Sequence, residues 1–393
     1  MNEDARARNT LPEGPWPGMR LLCLAAVCIT LLMAARKPAS GASIRIGFFM
    51  SMTGRDASFG EASLRGAQMG IDEVNASGGI LGQQAELVIA DNRSLAGESA
   101  TAVKRLISRD HVVALVGECS SARTLEAAPV AQAAGIPLVS PAATNPKVTR
   151  IGPCIFRVCF IDPFQGRAIA WFARRRLGLK RVAMLVDSTA PYSVGLSEAF
   201  EETFSGLGGS VVITQRYSSS DTDFRAQLTT IRGAHPDGLF VPGYYVAAGL
   251  VAQQASQLRL SATLLGGDGF EAPQLLEIGG TALEGTYYTT HFALENTSAL
   301  SRAFVASYRR RFSTSPNGLS ALTYDSVRLI ADAIRRAGST DRTALRTALA
   351  STKHFPGATG ETTINPQRDA DKGAAIIAIR GGRLNFVETI DPR

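Results

Sequence analysis

From residue 43 onward the chain alternates short apolar runs with longer amphipathic segments, and this alternation restricts its possible folds more than any other feature. The first runs contain almost no polar residues, as expected for parallel strands that are buried on both faces. They are "IRIGFFM" (44–50), "AELVIAD" (85–91), "VVALVG" (112–117) and "IPLVS" (136–140). Helical spacing follows these runs, for example from about Ser121 to Ala134. The pattern predicts a series of βα units.

A second series of the same kind begins near Cys154, with a helix expected from Phe164 to Leu177. Its predicted strands are "CIFRVCF", "RVAMLVD", "SVVITQRY", "GLFVPG", "TLLGG" and "TYYTTHF". Two βα series predict an α/β protein with two doubly wound, Rossmann-like sheets, and 393 residues are enough for two cores. A helix-rich stretch, 297–350, comes after the second series and before a final β pair. One lobe is therefore expected to be completed by chain that returns from the other.

The segment 1–42 has the features of an export signal and the residues before it. Met19-Arg20 precedes the apolar run "LLCLAAVCITLLMAA", and "RKPASGAS" follows that run. A positive start, an apolar stretch shorter than a membrane span and an exit of small residues are typical of a secretory signal peptide. Cleavage is expected after Ala42 or Gly41. An uncleaved anchor helix is the alternative, and the mature protein is expected in the periplasm or otherwise outside the cytoplasm.

Composition and motifs argue against several classes of function. Beyond residue 42 the charges are interspersed, and basic and aromatic residues do not alternate in the way that nucleic-acid binding would favour. The triple arginines Arg174–Arg176 and Arg309–Arg311 fit solvated helix faces. The mature chain has Cys119, Cys154 and Cys159, an odd number without a CxxC pair, and we expect buried free thiols. No metal-binding or nucleophile motif surrounds its histidines and serines, so we expect no cofactor, no metal and no catalytic residues.

The residues that follow the strands are the best candidates for a ligand site, because open α/β sheets bind ligands at the carboxyl ends of their strands. Ser120 or Ser121 opens a helix after "VVALVG", where free backbone N–H groups attract an anion. Thr144 lies in a turn between Pro141 and Pro146, after "IPLVS". Together these loops can hold a carboxylate. Ordinary helix capping and turn formation remain the alternative for both positions.

The second series offers its own candidates. Tyr244 follows "GLFVPG", and Asp268 follows "TLLGG" in a loop bounded by glycines, where its carboxylate can pair with an ammonium group. A turn or capping role is the alternative for Asp268. Tyr192 and Phe59 lie at positions where they can form the walls of a site, although each also fits plain packing.

In these segments the chain resembles the leucine/isoleucine/valine-type periplasmic binding proteins of ABC transporters. The resemblance covers residues 43–393 and depends on the order of many short segments. They include "LVGECSSARTLEAAPVAQAAGIPLVSPAATNP", "FRVCFIDPFQG", "PYSVGLSEAF", "FVPGYYVAAG", "LLGGDGF" and "LTYDSVRLIADAI". It implies the type I periplasmic binding protein fold, with three hinge crossings near 160, near 290 and near 360–365. The implied N-terminal lobe is 43–160 plus 291–362, and the C-terminal lobe is 161–290 plus 363–393.

The resemblance also implies roles for particular residues. Ser121 and Thr144 would bind the carboxylate of an amino acid, and Ala142 would offer its carbonyl to the ammonium group. Asp268 would pair with that ammonium group. Tyr192 and Tyr244 match positions that line the cleft, and Phe59 matches an aromatic beside the ligand side chain that is tyrosine in well-known relatives.

The implied function is capture of an amino acid or related small solute outside the cytoplasm and delivery to the membrane permease of an ABC transporter. Hinge closure around the ligand is the implied mechanism, and we expect a monomer. A ligand-sensing regulator of the same fold, such as an amide or amino-acid sensor, is the alternative. A hydrolase that uses Ser121 or Cys119 would need a base at the cleft. The identity of the solute stays open, because side-chain selectivity depends on pocket shape.

Overall fold

The computed structural model describes residues 43–296 and 298–391, and residues 43–393 form one compact unit. The predicted signal segment, its cleavage site and its apolar run lie outside the described residues. Within the described ranges, no helix has both the length and the apolarity that crossing a bilayer requires.

The first sheet has five parallel strands in the order β2-β1-β3-β4-β5. The strands are β1 (Ile44–Met50), β2 (Ala85–Asp91), β3 (Ala114–Val116), β4 (Leu138–Ser140) and β5 (Ile155–Arg157). The helices between them are α1 (Ala57–Ala76), α2 (Glu98–Ser108), α3 (Ser121–Ala133) and α4 (Lys147–Arg150). β3, β4 and β5 are buried at every residue, which explains their unbroken apolar character.

The second sheet has seven strands in the order β14-β13-β10-β9-β8-β6-β7. The strands are β6 (Arg181–Asp187), β7 (Ser210–Tyr217), β8 (Gly238–Val241), β9 (Thr263–Gly266), β10 (Tyr287–Thr290), β13 (Ala374–Arg380) and β14 (Arg383–Ile390). Pairing is parallel from β7 to β10, and the final pair is antiparallel to its neighbours. The helices are α5 (Asp162–Trp171, continued by a π turn, Phe172–Arg176), α6 (Pro191–Gly206), α7 (Arg225–Gly233), α8 (Tyr245–Gln257) and α9 (Gln274–Gly279). Two 3₁₀ turns, Asp268–Phe270 and Gly280–Leu283, flank α9.

The chain that follows β10 returns to the first sheet. It forms α10 (Ala299–Phe312), α11 (Gly318–Ala337), α12 (Arg342–Ala350) and a hairpin of β11 (Phe355–Gly357) and β12 (Gly360–Thr362). α11 packs along α1. A Cβ atom on Gly66 would lie 2.0 Å from the carbonyl oxygen of Ser320, so this close approach of the two helices requires glycine.

The predicted architecture of two doubly wound α/β lobes is confirmed. We use "first lobe" for the five-stranded sheet with its helices and "second lobe" for the seven-stranded sheet with its helices. The predicted lobe limits at 160, 290 and 362 stay predictions, although the strands on either side of each limit belong to different sheets.

Candidate ligand-binding cleft

The strand-end loops of the two lobes meet across a narrow cleft. The Tyr244 hydroxyl donates to Ser120 Oγ at 3.3 Å, and the Asn145 side-chain amide donates to the Pro191 carbonyl at 2.8 Å. Phe59 of the first lobe packs edge-on against Tyr244, with ring centroids 5.6 Å apart. All seven residues selected from the sequence lie in or beside these loops, and six of them are buried, while Tyr244 is half-buried.

The two serines at the start of α3 have different surroundings. Ser120 is the N-cap residue, and its hydroxyl oxygen accepts from Tyr244 of the opposite lobe. Ser121 is the first helical residue, and its oxygen accepts from the Asn145 backbone N–H at 3.1 Å within its own lobe. Ser120 therefore faces the cleft, while Ser121 contacts the loop that carries Ala142, Thr144 and Asn145. The sequence analysis assigned the ligand contact to Ser121. The pair of adjacent serines alone does not identify which hydroxyl faces the opposite lobe.

Arg157 stabilises the loop that carries Ala142 and Thr144. This arginine is completely buried, and its guanidinium donates to the backbone carbonyls of Ala143 and Asn145, the second at 2.9 Å. An ion pair of 2.7 Å with Asp369 balances its charge. Thr144 and Ala142 thus sit on a backbone whose course is fixed by a charged group.

On the opposite wall, Asp268 opens the 3₁₀ turn after β9 and is 6% exposed. Both of its carboxylate oxygens have protein partners. Gln165 Nε2 donates to Oδ1 at 2.8 Å, and His291 Nε2 lies 3.0 Å from Oδ2. The Tyr192 hydroxyl accepts from the backbone N–H of Gly269 at 3.1 Å, and the Tyr192 ring stacks on Tyr244 with centroids 5.3 Å apart.

The glycine before Asp268 is needed for this packing. A Cβ atom on Gly267 would lie 2.5 Å from the Tyr192 hydroxyl oxygen and 3.1 Å from Gln165 Nε2. Any larger residue would push these two groups away from the turn that presents Asp268. The glycine-bounded loop seen in the sequence therefore has a steric cause.

Burial and the charge of Asp268 raise the pKa of two neighbouring groups. Asp162, the first residue of α5, is completely buried, and its pKa is raised well above the usual range, chiefly by burial and further by the charge of Asp268. The pKa of the Tyr192 hydroxyl is also raised, first by burial and then by Asp268. The same charge of Asp268 favours a positively charged group from a ligand.

The thiols near the cleft are poorly suited to nucleophilic chemistry. Burial raises the pKa of Cys119 well above its usual value, and the neighbouring Glu118 raises it further. Burial likewise raises the pKa of Cys159 to about 12. Both thiols therefore stay protonated near neutral pH. Cys119, Cys154 and Cys159 are all buried and unbonded.

Sequence reasoning missed four residues that the structure brings to the site: Arg157, Asp162, Gln165 and His291. Arg157 could have been identified from the sequence, because it is a charged residue inside the apolar stretch "CIFRVCF". A charged residue that is buried there must have a partner of opposite charge. Asp162 and Gln165 lie in α5, next to a predicted crossing, and His291 falls inside the predicted strand "TYYTTHF", so the strand-end rule did not select them.

The two lobes place an N–H-rich helix start and hydroxyl groups on one side of the cleft and a buried carboxylate on the other. This arrangement defines a two-lobed solute-binding protein. A model of the periplasmic binding protein family matches residues 43–383, and the chain belongs to that family.

Individual relatives resemble the chain over most of its length. The Leu/Ile/Val-binding protein BraC3 of Rhizobium johnstonii is 31% identical over 353 residues, which are 89% of this chain and 95% of that protein. Crystal structures show the same fold. The leucine-binding protein LivK of Thermotoga maritima has a TM-score of 0.85 and 39% identity, covering 89% of this chain and 99% of that one. LivJ of Streptococcus pneumoniae, in complex with isoleucine, has a TM-score of 0.85 and 33% identity, covering 89% and 100%.

Proposed function

We propose that the protein captures a free α-amino acid outside the cytoplasm and delivers it, in the closed form, to an ABC transporter permease. The observation that carries this proposal is the opposite polarity of the two cleft walls. Ser120 and the start of α3 provide donors for a carboxylate, and the buried Thr144 is proposed to add its hydroxyl from the neighbouring loop of the same lobe. Asp268, on the second lobe, provides a buried acceptor for an ammonium group.

An amino acid bound in this orientation bridges the two lobes. Its carboxylate would contact only the first lobe, and its ammonium group would contact Asp268 together with the Ala142 carbonyl. Because the contacts on both walls form only when the lobes are close, the ligand stabilises the closed state over the open one. The Leu/Ile/Val-binding and isoleucine-bound relatives support an aliphatic side chain, and Phe59 and Tyr244 supply apolar surface for it.

Several parts of this proposal follow from the family and from the N-terminal sequence. The apolar segment before residue 42 supports export, and family membership supports a soluble partner of a permease. We propose that the protein acts as a monomer and by binding without catalysis. The protonated state of the buried Cys119 thiol supports the last point.

Isothermal titration with the twenty amino acids tests the proposal. We expect saturable binding of L-leucine or another aliphatic L-amino acid, and a rise in melting temperature with ligand concentration. Two analogues serve as matched controls: leucinamide lacks the carboxylate, and 4-methylpentanoate lacks the ammonium group. Both should bind at least tenfold more weakly than L-leucine. If no amino acid gives heat or a thermal shift, or if the analogues bind equally well, the amino-acid proposal is wrong.

Separate alanine variants of the two serines test which hydroxyl binds the carboxylate. Ser120→Ala should weaken L-leucine binding about 10- to 100-fold, because a hydrogen bond to a charged group contributes about 1.5–3 kcal/mol. Ser121→Ala should mainly lower the melting temperature, since its hydroxyl supports the Asn145 backbone. A larger affinity loss in Ser121→Ala than in Ser120→Ala would favour the assignment made from sequence.

A further inference from the structure

His291 is the one buried histidine of the four in the sequence, and it lies directly after β10, where the chain leaves the second sheet. Its side chain has no solvent exposure, and its Nε2 atom is 3.0 Å from Asp268 Oδ2. His111, His235 and His354 are exposed and lie elsewhere. His291 is therefore the histidine whose protonation, expected between pH 5 and 8 for this residue type, would place a charge beside the cleft carboxylate.

The hydrogen bond to Asp268 determines which nitrogen of the neutral ring carries the proton. Because a carboxylate can only accept, Nε2 must donate, and Nδ1 is then a bare acceptor. Nδ1 is buried and has no hydrogen-bond partner among the described residues. Together with Gln165, which donates to Oδ1, the imidazole fixes the rotation of the Asp268 carboxylate.

The same ring also contacts the other chain crossing. It stacks on Phe160, with centroids 3.7 Å apart and an angle of 29° between the planes. Phe160 follows β5, where the chain leaves the first sheet. His291 thus joins the carboxylate at the cleft to both of the segments that run between the lobes here.

Charged groups of both signs surround the imidazole. Burial is the main cause that lowers the pKa of His291, Asp268 raises it, and the more distant Lys372 lowers it. Lys372 is itself buried, beside Asp325. Burial, the main cause, and the charge of Asp268 also raise the pKa of two further buried carboxyl groups, Asp162 and Glu271, and the pKa of Glu271 is raised to about 8. The ring is therefore neutral at pH 7 and has an anionic partner ready to stabilise its protonated form.

We propose that His291 is a positioning residue for Asp268 and that its protonation weakens ligand binding in acid. The proposal rests on the proposed function, in which Asp268 receives the ammonium group. Neutral His291 orients the carboxylate and leaves its charge available. Protonated His291 forms an ion pair with Asp268 and repels the incoming ammonium group. Ligand binding and His291 protonation therefore oppose each other, and affinity falls by up to tenfold for each pH unit below the pKa of the free protein.

The variant His291→Gln separates positioning from titration, because a glutamine amide can donate from a position close to that of Nε2 without gaining charge. We would measure the dissociation constant for L-leucine by titration calorimetry between pH 5 and 7.5, a range in which the ligand itself keeps its charges. The unmodified protein should lose at least fivefold in affinity from pH 7.5 to 5. His291→Gln should bind within about threefold of it at pH 7.5 and lose less than twofold towards pH 5.

Two further variants complete this experiment. His291→Phe keeps the ring that stacks on Phe160 and removes the donor, so it should bind at least tenfold more weakly at every pH. His235→Asn, a change at an exposed position, should follow the unmodified protein throughout. An equal pH dependence in His291→Gln and the unmodified protein would overturn the role in acid release. Full affinity in His291→Phe would overturn the positioning role.

A measurement without ligand distinguishes failure of this inference from failure of the proposed function. Imidazole ¹⁵N NMR of the free protein should show the Nε2–H tautomer for His291. Because its folded-state pKa is lowered, its contribution to stability is present above about pH 6.5 and is lost as the pH falls below that value. The melting temperature of the unmodified protein should therefore fall more steeply below pH 6.5 than that of His291→Gln. If L-leucine does not bind but both results hold, only the amino-acid assignment fails. A Nδ1–H tautomer would overturn the inference.

Discussion

Asp268→Ala is expected to weaken amino-acid binding by at least tenfold. The variant removes the only carboxylate that the proposed binding mode assigns to the ligand's ammonium group. Removing one partner of a desolvated charge pair typically costs about 2–5 kcal/mol. Calorimetric titration with L-leucine measures the loss directly, with a thermal melt to show that the variant is folded.

Two companion variants make this prediction more specific. Asp268→Asn keeps the size of the side chain and one acceptor oxygen but removes the charge, so it should also bind at least tenfold more weakly. Asp223→Ala removes a carboxylate whose side chain is 67% exposed on the same lobe, and it should bind normally. A folded Asp268→Ala protein with unchanged affinity would exclude Asp268 from the ligand site.

Among the elements of the fold, several strands could be predicted most accurately from the sequence. The predicted runs 44–50, 85–91, 181–187 and 210–217 coincide with β1, β2, β6 and β7. The run 154–160 was predicted as one strand, but only Ile155–Arg157 pairs in the sheet. Val158, Cys159 and Phe160 are equally buried and lie between β5 and α5. An apolar run in the sequence indicates that its residues are buried. It gives the end of a strand only where the chain becomes exposed at the same residue.

Helix limits show the same dependence on context. The helix predicted over 164–177 begins two residues earlier, at Asp162, and its α-helical part ends at Trp171 before a π turn. Pro163 at the first turn is compatible with a helix start, because its missing N–H has no helical partner in any case. The apolar spacing continues through the π turn, so sequence periodicity could not distinguish the two kinds of helix.

The cleft could be predicted as a set of loops but not as a set of contacts. Thr144, Tyr192, Tyr244 and Asp268 follow strands, and the strand-end rule selected them. The rule cannot say that Asp268 is held by Gln165 and His291, because these contacts join chain segments more than twenty residues apart. It also cannot distinguish Ser120 from Ser121, since the exact start of α3 decides which hydroxyl faces the other lobe.

Arg157→Met is expected to have the largest effect on stability. It would leave Asp369 buried without its cation and would remove the donors to the Ala143 and Asn145 carbonyls. Breaking a buried ion pair by removing one partner costs about 3–5 kcal/mol. The melting temperature should fall by roughly 5–15 °C. Because those carbonyls belong to the loop of Ala142 and Thr144, L-leucine affinity should fall as well, as calorimetry on the folded variant would measure.

The control Arg302→Met, at an exposed position of α10, should leave the melting temperature unchanged within about 2 °C, as surface substitutions usually do. The double variant Arg157→Met with Asp369→Leu should regain part of the lost stability, because no buried charge then lacks a partner. It should not regain ligand affinity, since the loop carbonyls still lack their donors. If the stability losses of the two single variants simply add in the double variant, Asp369 is not the energetic partner of Arg157. Recovery of stability without recovery of binding would separate the arginine's role in folding from its role in shaping the carboxylate loop.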